Sequence, residues 1–174
     1  LVLFDWDDSL ISSSWITSQK LLTVADSFEG LPEDAQAELL KLEDSVYACL
    51  TLARKYGSLI IITNAEDGWV QLSAARFFRR LVPLLRDVPT VSARSNFEKR
   101  FPGAPLSWKA AAFAYVIHEH YCKDFRAPKM VISVGDSHEE KIALKIAAQQ
   151  HDRITTKAVK LLPQPGPALL AMQL

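Results

Sequence analysis

The residues whose types and spacing could do chemistry lie where apolar runs end. The first run, residues 1–4, is followed by Asp5 and Asp7, with Asp8 and Ser9 directly after them. Carboxylates gathered in one pocket repel each other, which raises their proton affinity unless a cation is present. Oxygen ligands with few histidines favour Mg²⁺, which also bridges to phosphate groups. Read alone, the run indicates either a turn rich in acids or a cation site.

Two further apolar runs end in polar residues in the same way. Residues 58–63 stop at Asn64, and residues 130–134 stop before Asp136. In open α/β sheets, ligands bind beyond the carboxyl ends of the strands, where residues distant in sequence meet. The residues expected to lie together at that edge are Asp5, Asp7, Thr63 and Asp136. Because Asp5 and Asp7 would face opposite sides of a continuing strand, the chain is expected to turn just after Asp5.

Strands and helices alternate along the chain. Weaker strands are predicted at 88–93 and 155–162, and helices are predicted from Asp34 as N-cap to Gly57, from about Asp67, from Ser107, after Asp136, and after the proline-rich loop at 163–167. In the helix after Asp136, the residues expected to face inward are Ile142, Ala143, Ile146 and Ala147. This alternation predicts one α/β domain over residues 1–174, a three-layer sandwich around a mainly parallel, Rossmann-like sheet.

Composition excludes several classes of protein. The chain has 174 residues, of which 49% are hydrophobic, and its 20 basic and 20 acidic residues cancel, so we expect neither a nucleic-acid nor a membrane partner. The two cysteines, Cys49 and Cys122, are too few for a disulfide framework, and we expect Cys122 to be a small apolar filler. No signal-peptide pattern is present, so a soluble, cytoplasmic protein is expected. Because Leu1 runs at once into a strand, we expect residues of a longer chain to precede it.

Four motifs occur in a fixed order along the chain. They are Asp5-Trp6-Asp7-Asp8-Ser9, Thr63-Asn64, Lys109, and Gly135-Asp136-Ser137-His138-Glu139-Glu140. Each is weak alone, but the ordered set resembles the motifs of the haloacid dehalogenase-like (HAD) superfamily, in its branch of aspartate-nucleophile phosphatases. Ser9 stands where this family usually has Thr or Val, and Glu140 where a final Asp is more usual.

The resemblance implies a role for each motif residue. Asp5 would attack phosphorus to form an aspartyl-phosphate, and Asp7 would be the general acid and then the general base. The presence of Asp7 argues against dehalogenation, since the family's dehalogenases lack that aspartate. The implied phosphate and substrate ligands are Thr63, Lys109, Ser9 and Asn64. The implied cofactor is Mg²⁺, and its implied ligands are Asp5, the backbone carbonyl of Asp7, Asp136 and Glu140.

The resemblance also bears on the substrate. Family members usually gain small-molecule selectivity from an inserted cap domain, but residues 11–33 and the predicted loop 92–107 are too short for one. A capless site favours a phosphoprotein or another large substrate, or a neighbouring subunit as lid, and the oligomeric state stays open. We expect Trp6 to form a wall of the pocket, although a packed core position is the alternative.

Two other readings of the acidic pocket remain. A non-catalytic HAD-like scaffold would keep the pocket without turnover. A receiver-type signalling domain also phosphorylates an aspartate beside Mg²⁺, but its acidic pair precedes a lone phosphoacceptor on a later strand, whereas here the later acids follow the lysine. The receiver reading is therefore the poorer of the two.

Overall fold

The computed structural model describes residues 1–121, 129–149, 151 and 153–174, so Cys122 lies outside the described residues. Five parallel strands form one sheet in the order β3-β2-β1-β4-β5. The strands are β1 Val2–Phe4, β2 Leu59–Thr63, β3 Thr90–Ser92, β4 Lys129–Gly135 and β5 Ile154–Lys160. Because every strand runs the same way, all their carboxyl ends meet at one edge of the sheet.

Helices cover both faces of this sheet. They are α1 Ser13–Ser18, α2 Leu21–Val24, α3 Glu33–Tyr56, α4 Trp69–Phe77, α5 Val82–Leu85, α6 Ala93–Phe97, α7 Pro105–Tyr121, α8 His138–Ala148 and α9 Pro167–Gln173, with a 3₁₀ turn at Phe28–Gly30. In the described part of the chain, no helix is long and apolar enough to cross a membrane.

The alternation of β1 sets the two layers. Val2 and Phe4 belong to one apolar cluster with α3, α4 and α9. Leu3, between them, belongs to a second cluster with α6, α7 and α8 on the opposite face. Successive side chains of a strand point to opposite faces, so an unbroken apolar run is what a doubly covered parallel strand requires. The predicted three-layer α/β sandwich is confirmed.

Three predicted boundaries were wrong. Helix α3 begins at Glu33, so Asp34 lies in its first turn, where its carboxylate accepts the N–H of Ala35 at 2.9 Å. Helix α7 begins at Pro105, two residues before the predicted start at Ser107, because proline suits the first helical turn. The predicted loop 92–107 contains α6, whose N-cap Ser92 accepts the N–H of Ser95.

The inward face of α8 also differs from the prediction. Ala143 and Ala147 are buried as expected, but Ile142 and Ile146 are 43% and 42% exposed, and Leu144 is buried in their place. Glu140 is buried on the same helix. The buried positions recur at helical spacing from Glu140, so the need to turn that carboxylate inward moves the two isoleucines to the flank.

Candidate active site

The chain reverses directly after β1, as the spacing of Asp5 and Asp7 predicts. The Asp5 N–H still donates to Val134 O of β4 at 2.9 Å. The Asp8 N–H then donates to Ile11 O at 2.7 Å, and the N–H groups of Ser9, Leu10 and Ile11 all donate to Trp6 O, at 3.3, 2.9 and 3.1 Å. Asp8 takes φ 54°, in the left-handed region that a tight reversal needs.

Asp8 has a structural part in this reversal. Its carboxylate is buried and accepts the N–H of Ser14 at 2.9 Å as well as the Ser14 hydroxyl. The acid therefore ties the turn to α1. Of the three clustered aspartates, Asp5 and Asp7 are the ones directed at other motif residues.

Lys109 joins two of the acidic motifs. Its ammonium, on a side chain only 2% exposed, lies 2.6 Å from Asp5 Oδ1 and 3.1 Å from Glu140 Oε1. It also donates to the carbonyl of Ile62 on β2 at 3.2 Å. A lysine has three N–H donors, so these contacts use all of them. The residue that follows β1 and residues of α7 and α8 are thereby brought together at the carboxyl edge of the sheet.

Charge in this cluster is unbalanced, with one ammonium between two carboxylates. Burial raises the pKa of Asp5 to about 7; Lys109 opposes the rise and Glu140 adds to it. Burial works to lower the pKa of Lys109, but Asp5 and Glu140 outweigh it and the pKa is raised. Burial likewise works to raise the pKa of Glu140, yet Lys109 and Ser137 hold it below its usual value. Lys109 contacts both carboxyl groups, so the cluster holds one ammonium for two acids, and the raised pKa makes Asp5 the acid that more readily keeps a proton.

Ser9 links Asp5 to Asp136. Its buried hydroxyl lies 3.2 Å from Asp5 Oδ2 and 3.4 Å from Asp136 Oδ1, and it accepts the Asp136 N–H at 3.0 Å. Burial, Glu140 and Asp8 all raise the pKa of Asp136. A hydroxyl has one proton to donate, so it satisfies only one of the two carboxylates at a time.

Asp7 is held at both of its oxygens. Thr63 Oγ1, at the end of β2, donates to Asp7 Oδ2 at 3.1 Å, and Trp69 Nε1, at the start of α4, donates to Asp7 Oδ1 at 2.9 Å. Thr63 Oγ1 also accepts the N–H of Ala65 at 2.9 Å. The single Thr63 proton is directed at Asp7, so its predicted contact with phosphate stays a prediction and requires the hydroxyl to turn.

Trp69 is the site residue that sequence reasoning missed. The predicted helix starting near Asp67 contains it, but neither its spacing nor its type distinguished it from a core aromatic. Gly68, just before it, has φ 87° in the left-handed region, where glycine carries no steric cost. A glycine followed by a tryptophan at a helix start is the only local signal.

Glu140 approaches the site because Gly135 has no side chain. A Cβ at Gly135 would lie 2.5 Å from Glu140 Cγ, which is closer than a non-bonded contact of a Cβ atom allows. The second oxygen of Glu140 accepts the N–H and the hydroxyl of Ser137, which completes a capping box at the start of α8. Glu140 is thus engaged by protein partners at both oxygens.

Asn64 lies at the rim of the site. Its Nδ2 is 3.5 Å from Glu139 Oε2 and 3.5 Å from Pro105 O, and its buried Oδ1 finds no hydrogen-bond partner in the described part of the chain. The sequence-predicted role of Asn64 in substrate binding stays a prediction.

The predicted metal ligands are brought together only in part. Among the residues that the structure describes, no group of three or more His, Cys, Asp or Glu side chains is placed to hold a metal ion. Glu140 is taken by Lys109 and Ser137, so its direct coordination stays a prediction. Asp5 and Asp136 both contact the Ser9 hydroxyl and both have raised pKa values. Two carboxylates completed by water or phosphate oxygens fit Mg²⁺, which rarely takes a cage made entirely of protein.

Trp6 does not form the expected wall of the pocket. It is fully buried, it packs edge-on against Phe78 with ring centroids 6.5 Å apart, and its Nε1 donates to Ser73 Oγ at 2.9 Å. The reversal after β1 points this side chain into the core, away from Asp5 and Asp7.

Comparison with protein-family models, with curated proteins and with solved structures gave no match. The family resemblance therefore rests on the motif residues alone.

Proposed function

We propose that this protein is a Mg²⁺-dependent phosphomonoester hydrolase of the HAD superfamily that works through an aspartyl-phosphate on Asp5. The observation that carries the proposal is the contact of buried Lys109 with both Asp5 and Glu140. Three residues from separate motifs meet there with one negative charge in excess. A buried uncompensated charge is costly, and such clusters are concentrated at functional sites.

The chemistry follows from the two aspartates. The Asp5 carboxylate, held by Lys109 and Ser9, attacks phosphorus, and a P–O bond to Asp5 forms as the P–O bond to the leaving group breaks. Asp7 gives its proton to the leaving oxygen. The Asp7 carboxylate then takes a proton from water, the water oxygen attacks phosphorus, and the P–O bond to Asp5 breaks to release inorganic phosphate.

The surrounding residues bind and orient. Mg²⁺, when held by Asp5, the Asp7 carbonyl and Asp136, supplies positive charge that offsets repulsion between carboxylate and phosphate. Lys109 and Thr63, which donate to Asp5 and Asp7, would turn to the phosphoryl oxygens. Asp7 is half-buried, whereas Asp5 is buried, which suits a group that exchanges protons with water beside a protected nucleophile.

A large phosphorylated substrate, such as a phosphoprotein, fits this site best. Residues 11–33, where a cap could be inserted, instead fold against the core as short helices and bury Ile16, Leu21 and Leu31. An open site of this kind needs its substrate to exclude water. We infer a reducing, cytoplasmic location from the small number of cysteines in the sequence.

The proposal is tested by Mg²⁺-dependent release of phosphate from an aryl phosphate. We expect turnover by the wild type, loss to background in Asp5→Asn, and wild-type rates in Asp87→Asn. Asp87 is the matched control, because it is an exposed aspartate in the loop before β3, at the opposite edge of the sheet. Equal rates in wild type and Asp5→Asn, or no release by either, would contradict the catalytic assignment.

A non-catalytic scaffold is the second candidate, and one observation favours it. The donors of Lys109 and Thr63 are all satisfied inside the protein, so phosphate has to displace existing hydrogen bonds. Thermal unfolding with Mg²⁺ and BeF₃⁻, a phosphoryl mimic, separates the candidates. A rise in Tm that Asp5→Asn abolishes, without turnover of any phosphoester, would favour the scaffold.

A further inference from the structure

Asp7 is fixed by donors from two different elements. Trp69 Nε1 of α4 lies 2.9 Å from Asp7 Oδ1, and Thr63 Oγ1 at the end of β2 lies 3.1 Å from Oδ2. One donor on each oxygen fixes the plane of the carboxylate, since rotating it would lengthen both hydrogen bonds. Trp69 packs in part against the apolar core, but it and Asp7 are both only half-buried, so the indole N–H meets the carboxylate outside the fully buried core.

Helix α4 holds the Asp5–Asp7 segment through two neighbouring indoles. Ser73 donates its hydroxyl to the Trp69 carbonyl at 2.7 Å and accepts the Trp6 indole N–H at 2.9 Å. Trp6, between the two aspartates, is therefore linked to the same turn of helix that bears Trp69. The helix contacts the segment on its core side through Trp6 and on its site side through Asp7.

We propose that Trp69 is a positioning residue for the general acid, and that its indole N–H sets the orientation from which Asp7 protonates the leaving group. This inference rests on the proposed function, since it assigns Trp69 to the acid step of that reaction. An indole N–H donates and never accepts, whereas a hydroxyl does both. Trp69 therefore keeps Oδ1 as an acceptor, and Oδ2 beside Thr63 is the oxygen that gives the proton.

Substrates with different leaving groups test this role of Trp69. Trp69→Phe keeps an aromatic ring but removes the N–H, so Asp7 loses one of its two orienting bonds. General acid catalysis contributes about 10²–10⁴-fold, and a misoriented acid forfeits part of it. A poor alkyl leaving group needs that proton, while a p-nitrophenyl leaving group hardly does. We expect kcat/KM to fall about tenfold for an alkyl phosphate, to stay within twofold for p-nitrophenyl phosphate, and the fall to lie in kcat.

Leu72→Ala is the matched control, because Leu72 lies on the same helix with its side chain 69% exposed. It should leave both substrates unchanged. If Trp69→Phe slows the alkyl and aryl substrates equally, or changes neither, Trp69 does not position the acid and the inference is overturned.

A second readout does not depend on turnover. In ¹H–¹⁵N spectra, the indole resonance of Trp69 is assigned by its loss in Trp69→Phe. Asp7→Ala removes the acceptor, so we expect the Trp69 resonance to shift, while that of Trp108, bonded to Phe101 O at 2.6 Å, stays in place. If the Trp69 resonance is the same in Asp7→Ala as in the wild type, the inference is overturned even when the wild type is an active phosphatase. A shifted resonance in a protein without turnover overturns the proposed function instead.

Discussion

At the scale of single residues, Lys109 decides the charge balance of the candidate active site. Replacing it with methionine keeps much of the volume but leaves Asp5 and Glu140 buried side by side without a cation. Removing one partner from a buried ion cluster typically costs about 3–5 kcal/mol. We expect Lys109→Met to lower the free energy of unfolding in urea by that order at neutral pH.

The control for this prediction is Lys141→Met. Lys141 is an exposed lysine on α8, so its replacement should change stability by no more than about 0.5 kcal/mol. Adding Asp5→Asn and Glu140→Gln to Lys109→Met should recover part of the loss, because no unpaired carboxylate then remains. Equal stabilities of Lys109→Met and wild type would show that the cluster is not buried as described.

Asp5 also gives the protein a defined dependence on pH. Its pKa is raised from 3.8 to about 7 in the fold, so between these values the folded state holds a proton that the unfolded state has lost. The contribution of the Asp5 carboxyl group to the free energy of unfolding is fully present below pH 3.8 and is lost as the pH rises through 7. In the presence of a chelator, we expect the free energy of unfolding of the wild type to fall by about 2–3 kcal/mol relative to that of Asp5→Asn between pH 5 and pH 8.

Asp136 and Glu43, whose pKa values are raised as well, are present in both proteins, so the difference between them isolates Asp5. Parallel stability curves for the two proteins from pH 5 to pH 8, measured by denaturant titration, would contradict the assignment.

Which site residues the sequence predicts depends on their distance along the chain from an apolar strand. Thr63 is the last residue of its strand, and Asp5, Asp7 and Asp136 lie within three residues of a strand end, so the parallel sheet alone predicts that all four lie near one edge. Trp69 is different, because its contact depends on how α4 is docked. Trp6 was misplaced for a related reason: the sequence predicts a reversal after Asp5 but not the direction in which that reversal turns the indole.

At the scale of elements, the junction between β4 and α8 decides whether Glu140 reaches Lys109. Gly135→Ala places a Cβ 2.5 Å from Glu140 Cγ, and the carboxylate has to withdraw. We expect a loss of about 1–3 kcal/mol in unfolding free energy from the overpacking, together with reduced phosphatase activity.

Gly57→Ala is the matched control, since its added Cβ meets its nearest neighbour at 3.7 Å in extended backbone. It should keep wild-type activity. If Gly135→Ala were as stable and as active as Gly57→Ala, the close packing of Glu140 against Gly135 would contribute neither to stability nor to activity.

Elements with strong local patterns were predicted well, and those defined by tertiary contacts were not. The long helix α3 shows its buried face in Leu39, Leu42, Val46 and Leu50. Helix α6 has only five residues, too few for a helical period to be recognised, and it is stabilised by its cap and by packing on α7. The exposed isoleucines of α8 were predicted to be buried because they are apolar. The prediction did not take into account that Glu140 faces inward on the same helix.

At the scale of the whole molecule, the proposed preference for large substrates depends on how the segment at residues 11–33 packs beside the carboxyl edge of the sheet. The short helices of residues 11–33 pack on the core and leave the half-buried Asp7 and Trp69 accessible. We expect phosphopeptides to have a higher kcat/KM than small phosphorylated metabolites in steady-state assays. A small metabolite hydrolysed with kcat/KM above about 10⁵ M⁻¹s⁻¹, with phosphopeptides ignored, would contradict this expectation.

Trapping the phosphoenzyme tests most directly whether the phosphoryl group is transferred to Asp5. Asp7→Asn removes the base for the second step but leaves Asp5 intact, so with Mg²⁺ and an activated aryl phosphate it should accumulate a covalent phosphoryl group. Intact-protein and peptide mass spectrometry after acid quenching should find one phosphoryl group, labile to hydroxylamine, on Asp5. Asp5→Asn, alone and combined with Asp7→Asn, should show none. A phosphoryl group on another residue, or none on Asp7→Asn, would contradict the account.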